Sequence, residues 1–167
     1  MPRPLTDSLD ANVARLKEMF GNSADLYAKP VNVRGVPCCL CFFEGLSTLE
    51  RLWVVMLSML NESHFEPANG QDLFNYIQHQ PVENTPVEDF EALRTQLTAG
   101  TTVMLIDGCC KAVVLSTQNM QFRSVQEPSG EGDIRGSREG FCDLVRINVS
   151  LVRRLGRTGS LTIKNFP

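Results

Sequence analysis

The feature that most constrains the fold is a continuous apolar run at Val36–Phe43, which lies between Gly35 and Gly45. A strand without alternating polar residues has both faces buried, so this run predicts a strand at the centre of a sheet covered on both sides. The segment after it, Thr48–Leu60, has the pattern of a helix. This strand–turn–helix order predicts an α/β fold, a single domain with a mixed central β-sheet flanked by helices.

Other segments supply elements for this sheet. Leu26–Arg34 is an edge strand, because Pro30 cannot donate a hydrogen bond to a neighbouring strand. The two β-rich runs on either side of Asp107-Gly108 predict a hairpin. The N-terminal helix begins at Asp7 or Ser8 and carries an apolar stripe of Leu9, Val13, Leu16 and Phe20. Further helices are predicted over Gln71–Gln78, Val87–Leu97 and Arg138–Leu155, and a last strand over Leu161–Lys164.

Composition excludes several classes of protein. The 167 residues are 43% hydrophobic and 21% charged, which is typical of one globular domain and not of a disordered segment. The longest apolar runs fall well short of the ~20 residues that span a bilayer, and the N-terminus has no secretion signal, so a soluble cytoplasmic chain is expected. The net charge of −3 argues against a nucleic-acid partner.

Charge is distributed unevenly along the chain. Residues 1–120 contain 8 basic and 14 acidic residues, whereas residues 121–167 contain 8 basic and 5 acidic ones. Of the 16 basic residues in the chain, 12 are arginine. Arginine is favoured where planar pairing with an anion is needed, so the basic C-terminal part is suited to an acidic surface.

The cysteines are predicted to be reduced and free of metal. They are Cys38, Cys39, Cys41, Cys109, Cys110 and Cys142. Without a secretion signal a disulfide framework is unexpected. Although Cys38 and Cys41 form a C-x-x-C motif, residues three apart in a strand point to opposite faces, which does not suit a zinc site.

No pattern in the sequence indicates catalysis or a cofactor. The chain has no histidine after His79, no nucleophile elbow, no P-loop and no dinucleotide fingerprint. The loop region around 124–137 contains interleaved carboxylates and arginines, an arrangement more typical of ion-pair networks than of acid–base catalysis. These residues are Glu127, Glu131, Asp133, Arg135, Arg138 and Glu139. We therefore predict that the chain is not an enzyme and binds no cofactor. An alternative to an assembly function is a small-molecule or anion-binding sensor that uses the Arg-rich region 123–138.

The last predicted helix has two distinct sides. Its apolar side consists of Phe141, Leu144, Val145, Ile147, Leu151, Val152 and Leu155. Asn148 lies in the middle of that side, so it must be hydrogen-bonded, either locally or to the loop that precedes the helix. In the second case we expect Arg135 or Arg138 to pair with Glu127 or Glu131 close by.

The polar side of this helix carries the candidate interaction surface. It contains Arg146, Arg153, Arg154 and Arg157, and residues 144–167 contain no acid. Acids precede the bases along the helix, which suits the helix dipole and is compatible with a merely solvated side. The alternative is a docking surface for a partner, in which these arginines serve contacts beyond the domain rather than its fold.

A long motif extends over the C-terminal third of the chain. Its residues are Arg123, Glu127, Pro128, Glu131, Arg135, Gly136, Arg138, Glu139, Gly140 and Phe141, followed by Asn148, Leu151 and Arg153-Arg154. This motif resembles that of the GerA family, the A subunits of bacterial spore germinant receptors. The N-terminal Ser8-Leu9, Leu16-Lys17 and Phe20 also fit the family pattern. One departure is Ser137, where the family usually has proline, so the start of the helix is expected to be less rigid here.

The resemblance implies a specific place for the chain. Residues 1–167 would be the first of two N-terminal α/β subdomains of a longer protein in the spore inner membrane, on its cytoplasmic side. Partners would be the second subdomain and the transmembrane region of the same protein, the B and C receptor subunits, and a further copy in a homo-oligomer. The implied function is that of a non-enzymatic assembly and signalling module, coupling nutrient sensing to ion release. A stage V sporulation AF-type protein would have the same features.

Overall fold

The computed structural model describes residues 3–48, 65–80, 83–118, 141 and 143–165. Most of the helix predicted at Thr48–Leu60 lies outside these ranges. The elements in chain order are α1 (Leu9–Met19), β1 (Leu26–Val33), β2 (Val36–Phe43), α2 (Gly70–Gln78), β3 (Asn84–Val87), α3 (Phe90–Thr98), β4 (Thr102–Ile106), β5 (Ala112–Leu115) and α4 (Val145–Gly156). In the described part of the chain, no helix is long and apolar enough to cross a membrane.

The five strands form one sheet in the order β1-β2-β4-β5-β3, and every neighbouring pair is antiparallel. The predicted α/β single-domain fold is confirmed, but the prediction of a mixed sheet is wrong for the described strands. Short connections reverse the chain between β1 and β2 and between β4 and β5. At the first of them, Arg34 and Gly35 have φ of +52° and +87°, as a two-residue type I′ hairpin turn requires.

Strand β2 is buried on both faces, as its apolar run predicts. Cys38 and Leu40 contribute to one core, which α2 covers with Leu73, Phe74 and Ile77. Cys39, Cys41 and Phe43 contribute to a second core, which α1 and α3 cover with Leu16, Phe20, Leu93 and Leu97. The sheet is therefore the middle layer of three, and alternate residues of each central strand enter different cores.

Both edge strands contain a proline, Pro30 in β1 and Pro86 in β3. Proline at an edge leaves no ladder hydrogen bond unmade and discourages pairing with another chain.

The helix predicted at Val87–Leu97 begins later than expected. Residues 84–87 pair with β5, and Asp89 caps α3 by accepting a hydrogen bond from the Ala92 N–H at 2.9 Å.

The C-terminal elements also differ from the prediction. Helix α4 begins at Val145 rather than Arg138, and the described residues just before it are not helical. Leu161–Lys164 is not a strand. It is an extended segment in which the Ile163 carbonyl accepts a hydrogen bond from the Ala24 N–H at 2.9 Å. The first helix, the helix at Gln71–Gln78 and the hairpin around Asp107 are confirmed.

Among the described cysteines, four are buried free thiols and Cys110 is exposed, while Cys142 lies outside the described residues. Burial raises the pKa of the Cys38 thiol to about 12, with a smaller contribution from the negative charge of Asp107. Cys39 and Cys41 lie on one face of β2 with their Sγ atoms 3.8 Å apart, and a hydrogen bond between them raises the pKa of Cys41 and lowers that of Cys39. The thiols of β2 thus act as small apolar core residues.

We predict that thiol alkylation separates Cys110 from Cys38. At pH 8 an alkylating reagent should modify Cys110 in the folded protein and leave Cys38 unmodified, since only an exposed thiolate reacts. In urea both residues should be modified at similar rates. Peptide mass spectrometry after timed quenching measures the two rates, and rapid labelling of Cys38 in the folded protein would contradict its burial.

A second prediction concerns Gly70, the first residue of α2. A Cβ atom there would collide with the Asp107 carbonyl oxygen and would lie 3.1 Å from Ile106 Cγ2. Gly70→Ala should therefore lower the free energy of unfolding by about 1–3 kcal/mol, as overpacking does. Gly156→Ala is the matched control, because the nearest atoms lie 3.9 Å from its Cβ position. Urea denaturation should show no loss for the control, and equal stability of both variants would contradict the prediction.

Candidate functional site

Three polar residues of helix α4 contact the rest of the domain. Arg153 is completely buried. Ser150 lies against the turn at Gly45, where an added Cβ would be 2.6 Å from the Ser150 Cβ. Arg146 Nη1 lies 3.4 Å from Oε1 of Glu44, the residue directly after β2. Small and charged residues of the helix thus contact the residues that follow β2.

Arg153 forms a bidentate ion pair with Asp25, the residue before β1. Its Nε donates to Asp25 Oδ2 at 2.9 Å and its Nη2 to Asp25 Oδ1 at 2.8 Å. Nη1 donates to the Leu161 carbonyl at 2.9 Å, and Nη2 also reaches Ser23 Oγ at 3.1 Å. The guanidinium lies 4.1 Å from the centre of the Phe43 ring. A planar cation with several fixed donors suits this site, and lysine could not reproduce it.

The same network holds the segment after α4. The Ile163 N–H donates to Ser23 Oγ at 2.7 Å, and the Ser23 hydroxyl donates to Asp25 Oδ1 at 2.6 Å. Thr162 Oγ1 donates to the Phe20 carbonyl at 3.4 Å. Helix α4, the residues around 163 and the start of β1 are therefore joined around one carboxylate.

Exposed apolar side chains lie on α4 and on the residues just before it. Phe141 is 72% exposed, Leu144 63%, Val145 73%, Ile147 52% and Leu155 67%. We call these five residues the outer face. Most of the described large apolar residues are buried, and an exposed cluster of this kind is typical of an interaction site.

Arg153 corrects the sequence prediction for α4. The apolar side was predicted to face the core and Arg153 to belong to an interaction surface. In the structure Arg153 is buried, five residues of the predicted apolar side are exposed, and only Leu151 and Val152 of that side are half-buried. The reason is that Asp25 provides a buried carboxylate, and a buried arginine is stable only beside such a partner. Arg146, Arg154 and Arg157 are exposed, as a candidate interaction surface requires.

The family motif lies mostly outside the described residues. This applies to Arg123, Glu127, Pro128, Glu131, Arg135, Gly136, Arg138, Glu139 and Gly140, and also to the anion-binding alternative at 123–138. Phe141 is described and belongs to the outer face. Asn148 is half-buried, and its pairing with the loop stays a prediction.

The described residues do not assemble a catalytic or metal site. Within them, no three side chains of His, Cys, Asp or Glu are placed to hold a metal ion. An open cleft of about 450 Å³ lies between α1 and the start of α3, and a second of about 370 Å³ lies along α2. The first is lined by Arg3, Arg15, Glu18, Met19, Phe90 and Glu91, and the second by Phe65, Glu66, Asp72, Asn75, Tyr76 and His79.

Comparison with known proteins identifies the family. The model of the Bacillus/Clostridium GerA spore germination protein family matches residues 14–167. The chain belongs to this family. It is 42% identical to the uncharacterized membrane protein YfkQ of Bacillus subtilis strain 168, over 98% of this chain and 32% of that protein. It is 24% identical to spore germination protein KA of the same organism, over 99% of this chain and 31% of that protein.

A solved structure has the same fold as this GerA-family chain. It is the crystal structure of the N-terminal domain of the A subunit of the Bacillus megaterium spore germinant receptor GerK3. The TM-score is 0.71 at 17% identity, and the match covers 95% of this chain and 58% of that chain. The resemblance seen in the sequence motif is therefore confirmed at the level of family and fold. This chain spans about a third of the length of the relatives that it matches.

We predict that the Asp25–Arg153 pair is structural. Arg153→Met should lower the free energy of unfolding by about 3–5 kcal/mol, because it leaves a buried carboxylate without its partner. Arg146→Met is the matched control, since its side chain is 83% exposed and its removal should change stability by less than about 0.5 kcal/mol. Chemical denaturation measures both changes.

The double variant Asp25→Asn with Arg153→Met tests the same interaction. It should be less destabilised than the sum of the two single variants, because the charge left unpaired in each is absent in the double. Additive losses would show that the two side chains stabilise the domain independently.

Proposed function

We propose that this chain is an N-terminal subdomain, residues 1–167, of a germinant receptor A subunit and acts as a non-enzymatic assembly and signalling module. The observation that carries the proposal is the outer face of α4 in a chain of the GerA family. Five exposed apolar side chains on one short segment are unfavourable in water unless a partner covers them.

The structure of the site favours binding over chemistry. An assembly surface needs a rigid support, and Arg153 supplies one by joining α4 to β1 and β2 through buried hydrogen bonds. A displacement of α4 by a partner would therefore also displace the strands of the central sheet to which it is bonded. This rigid connection is what a signalling module requires.

The proposal places the subdomain in a longer membrane protein. Its relatives include a protein named as a membrane protein and several named as spore germination proteins, each about three times as long as this chain. We propose that the whole protein lies in the spore inner membrane with this subdomain on the cytoplasmic side. Its partners would be a second N-terminal subdomain, the transmembrane region and the B and C subunits, with nutrient binding coupled to ion release.

Germination of spores tests this function. The variant Leu144→Ser with Ile147→Ser is placed in the whole protein, in a strain that lacks other germinant receptors. Nutrient-triggered germination should fall at least tenfold, because the outer face no longer binds its partner. The fall in optical density of the spore suspension measures germination, and immunoblotting measures the amount of receptor.

The matched control changes two exposed residues away from α4, Lys29→Ser with Glu91→Ser. Spores with the control should germinate normally. Normal germination with the outer-face variant would show that this surface is dispensable and would contradict the proposed function.

A further inference from the structure

We propose that the outer face of α4 binds the second N-terminal subdomain of the same polypeptide. The inference rests on the proposed function and names the occupant of its surface. The structural match to the solved N-terminal domain of the GerK3 A subunit covers 95% of this chain but only 58% of that domain. In a relative with this fold, a substantial part of the same domain lies outside the match and is available as an occupant.

The size of the outer face suits a contact within one chain. It comprises five side chains from a single helix and the residue segment before it. A stable interface between separate proteins usually buries about 1,200–2,000 Å² and involves roughly 20–30 residues on each side. Interfaces between domains of one chain begin at about 600 Å², because the covalent link already keeps the partners together at a high effective concentration. A single helix face is therefore sufficient for the second case and small for the first.

The segment after α4, around Leu161 and Ile163, holds the start of the covalent link to a second subdomain in a fixed position. The Leu161 carbonyl accepts a hydrogen bond from Arg153, and Ile163 is bonded to Ser23 and Ala24. A subdomain attached beyond this segment would start from a fixed position beside α4. Such a tether reduces the entropy that docking would otherwise lose.

Charge argues against a two-fold contact between copies through this helix. Residues 144–167 contain no acidic residue. Of their five basic residues, Arg153 is paired with Asp25 and Arg146 with Glu44, whereas Arg157 and Lys164 are exposed. In a two-fold contact the same patch faces itself, so these positive charges would meet across the interface. An occupant with acidic residues around an apolar centre is favoured instead.

The test measures the accessibility of the outer face in the whole protein. Ile147→Cys and Glu91→Cys are matched variants, because residue 147 is 52% exposed and the side chain of Glu91 is 58% exposed. Each variant is produced without the B and C subunits, solubilised in detergent, and its monomeric fraction is treated with a maleimide. Peptide mass spectrometry reads labelling at the chosen position alone, and urea should make the two rates equal.

We expect labelling at position 147 to be at least tenfold slower than at position 91 in the monomer. A photo-crosslinking amino acid at position 144 should then form cross-links within the same polypeptide, to residues beyond 167. Equal labelling rates at the two positions would overturn the inference, as would cross-links to residues within 1–167.

Two further outcomes would overturn the inference and leave the proposed function intact. Protection that requires the B and C subunits would show that another subunit is the occupant. Protection confined to an oligomeric fraction would show that a second copy is the occupant. The germination experiment is independent of all these outcomes, so the failure of one proposal is distinguishable from the failure of the other.

Discussion

The buried ion pair between Asp25 and Arg153 determines how the C-terminal part of this chain is arranged. The two residues are 128 positions apart, and the contact joins α4 and the segment around Ile163 to the start of β1. A charge pair removed from water is stable only when its remaining donors and acceptors are also satisfied. Ser23, the Leu161 carbonyl and the Phe43 ring meet that requirement here.

The position of α4 follows from this contact. Because the guanidinium must reach the carboxylate, the side of the helix that carries Arg153 turns inward, and Leu144, Ile147 and Leu155 turn outward. The cost is the exposure of five apolar side chains on one segment. A family that couples this domain to a larger assembly would have a use for such a face, whereas an isolated domain would not.

The support beneath this surface is a sheet with two cores. Strand β2 contributes alternate residues to both, so its buried cysteines serve as small apolar residues in each. Prolines at the two edges limit pairing with other chains through the sheet. The proposed assembly surface is therefore on α4 rather than at the edges of the sheet.

Local patterns in the sequence were sufficient for elements whose environment is local. The run at Val36–Phe43 indicated a central strand, Pro30 an edge strand, and Asp107-Gly108 a hairpin, because strand burial and turn chemistry depend on near neighbours. The helix predicted from Val87 begins later, after β3. Proline, here Pro86, suits both a helix start and a strand edge, and only pairing with β5 distinguishes the two. The antiparallel order of the sheet likewise depends on contacts between distant segments.

The candidate site shows the same division between local and distant information. The sequence by itself determined the family, the amphipathic character of residues 141–155 and the arginines that accompany it. Only the tertiary structure decided which side of α4 is buried and which of those arginines is structural. A helix wheel assigns the apolar side to the core because transfer of apolar groups from water is favourable. The helix wheel is wrong here because Asp25, far away in sequence, provides a buried carboxylate. Only a cation on the polar side of the helix can neutralise that charge.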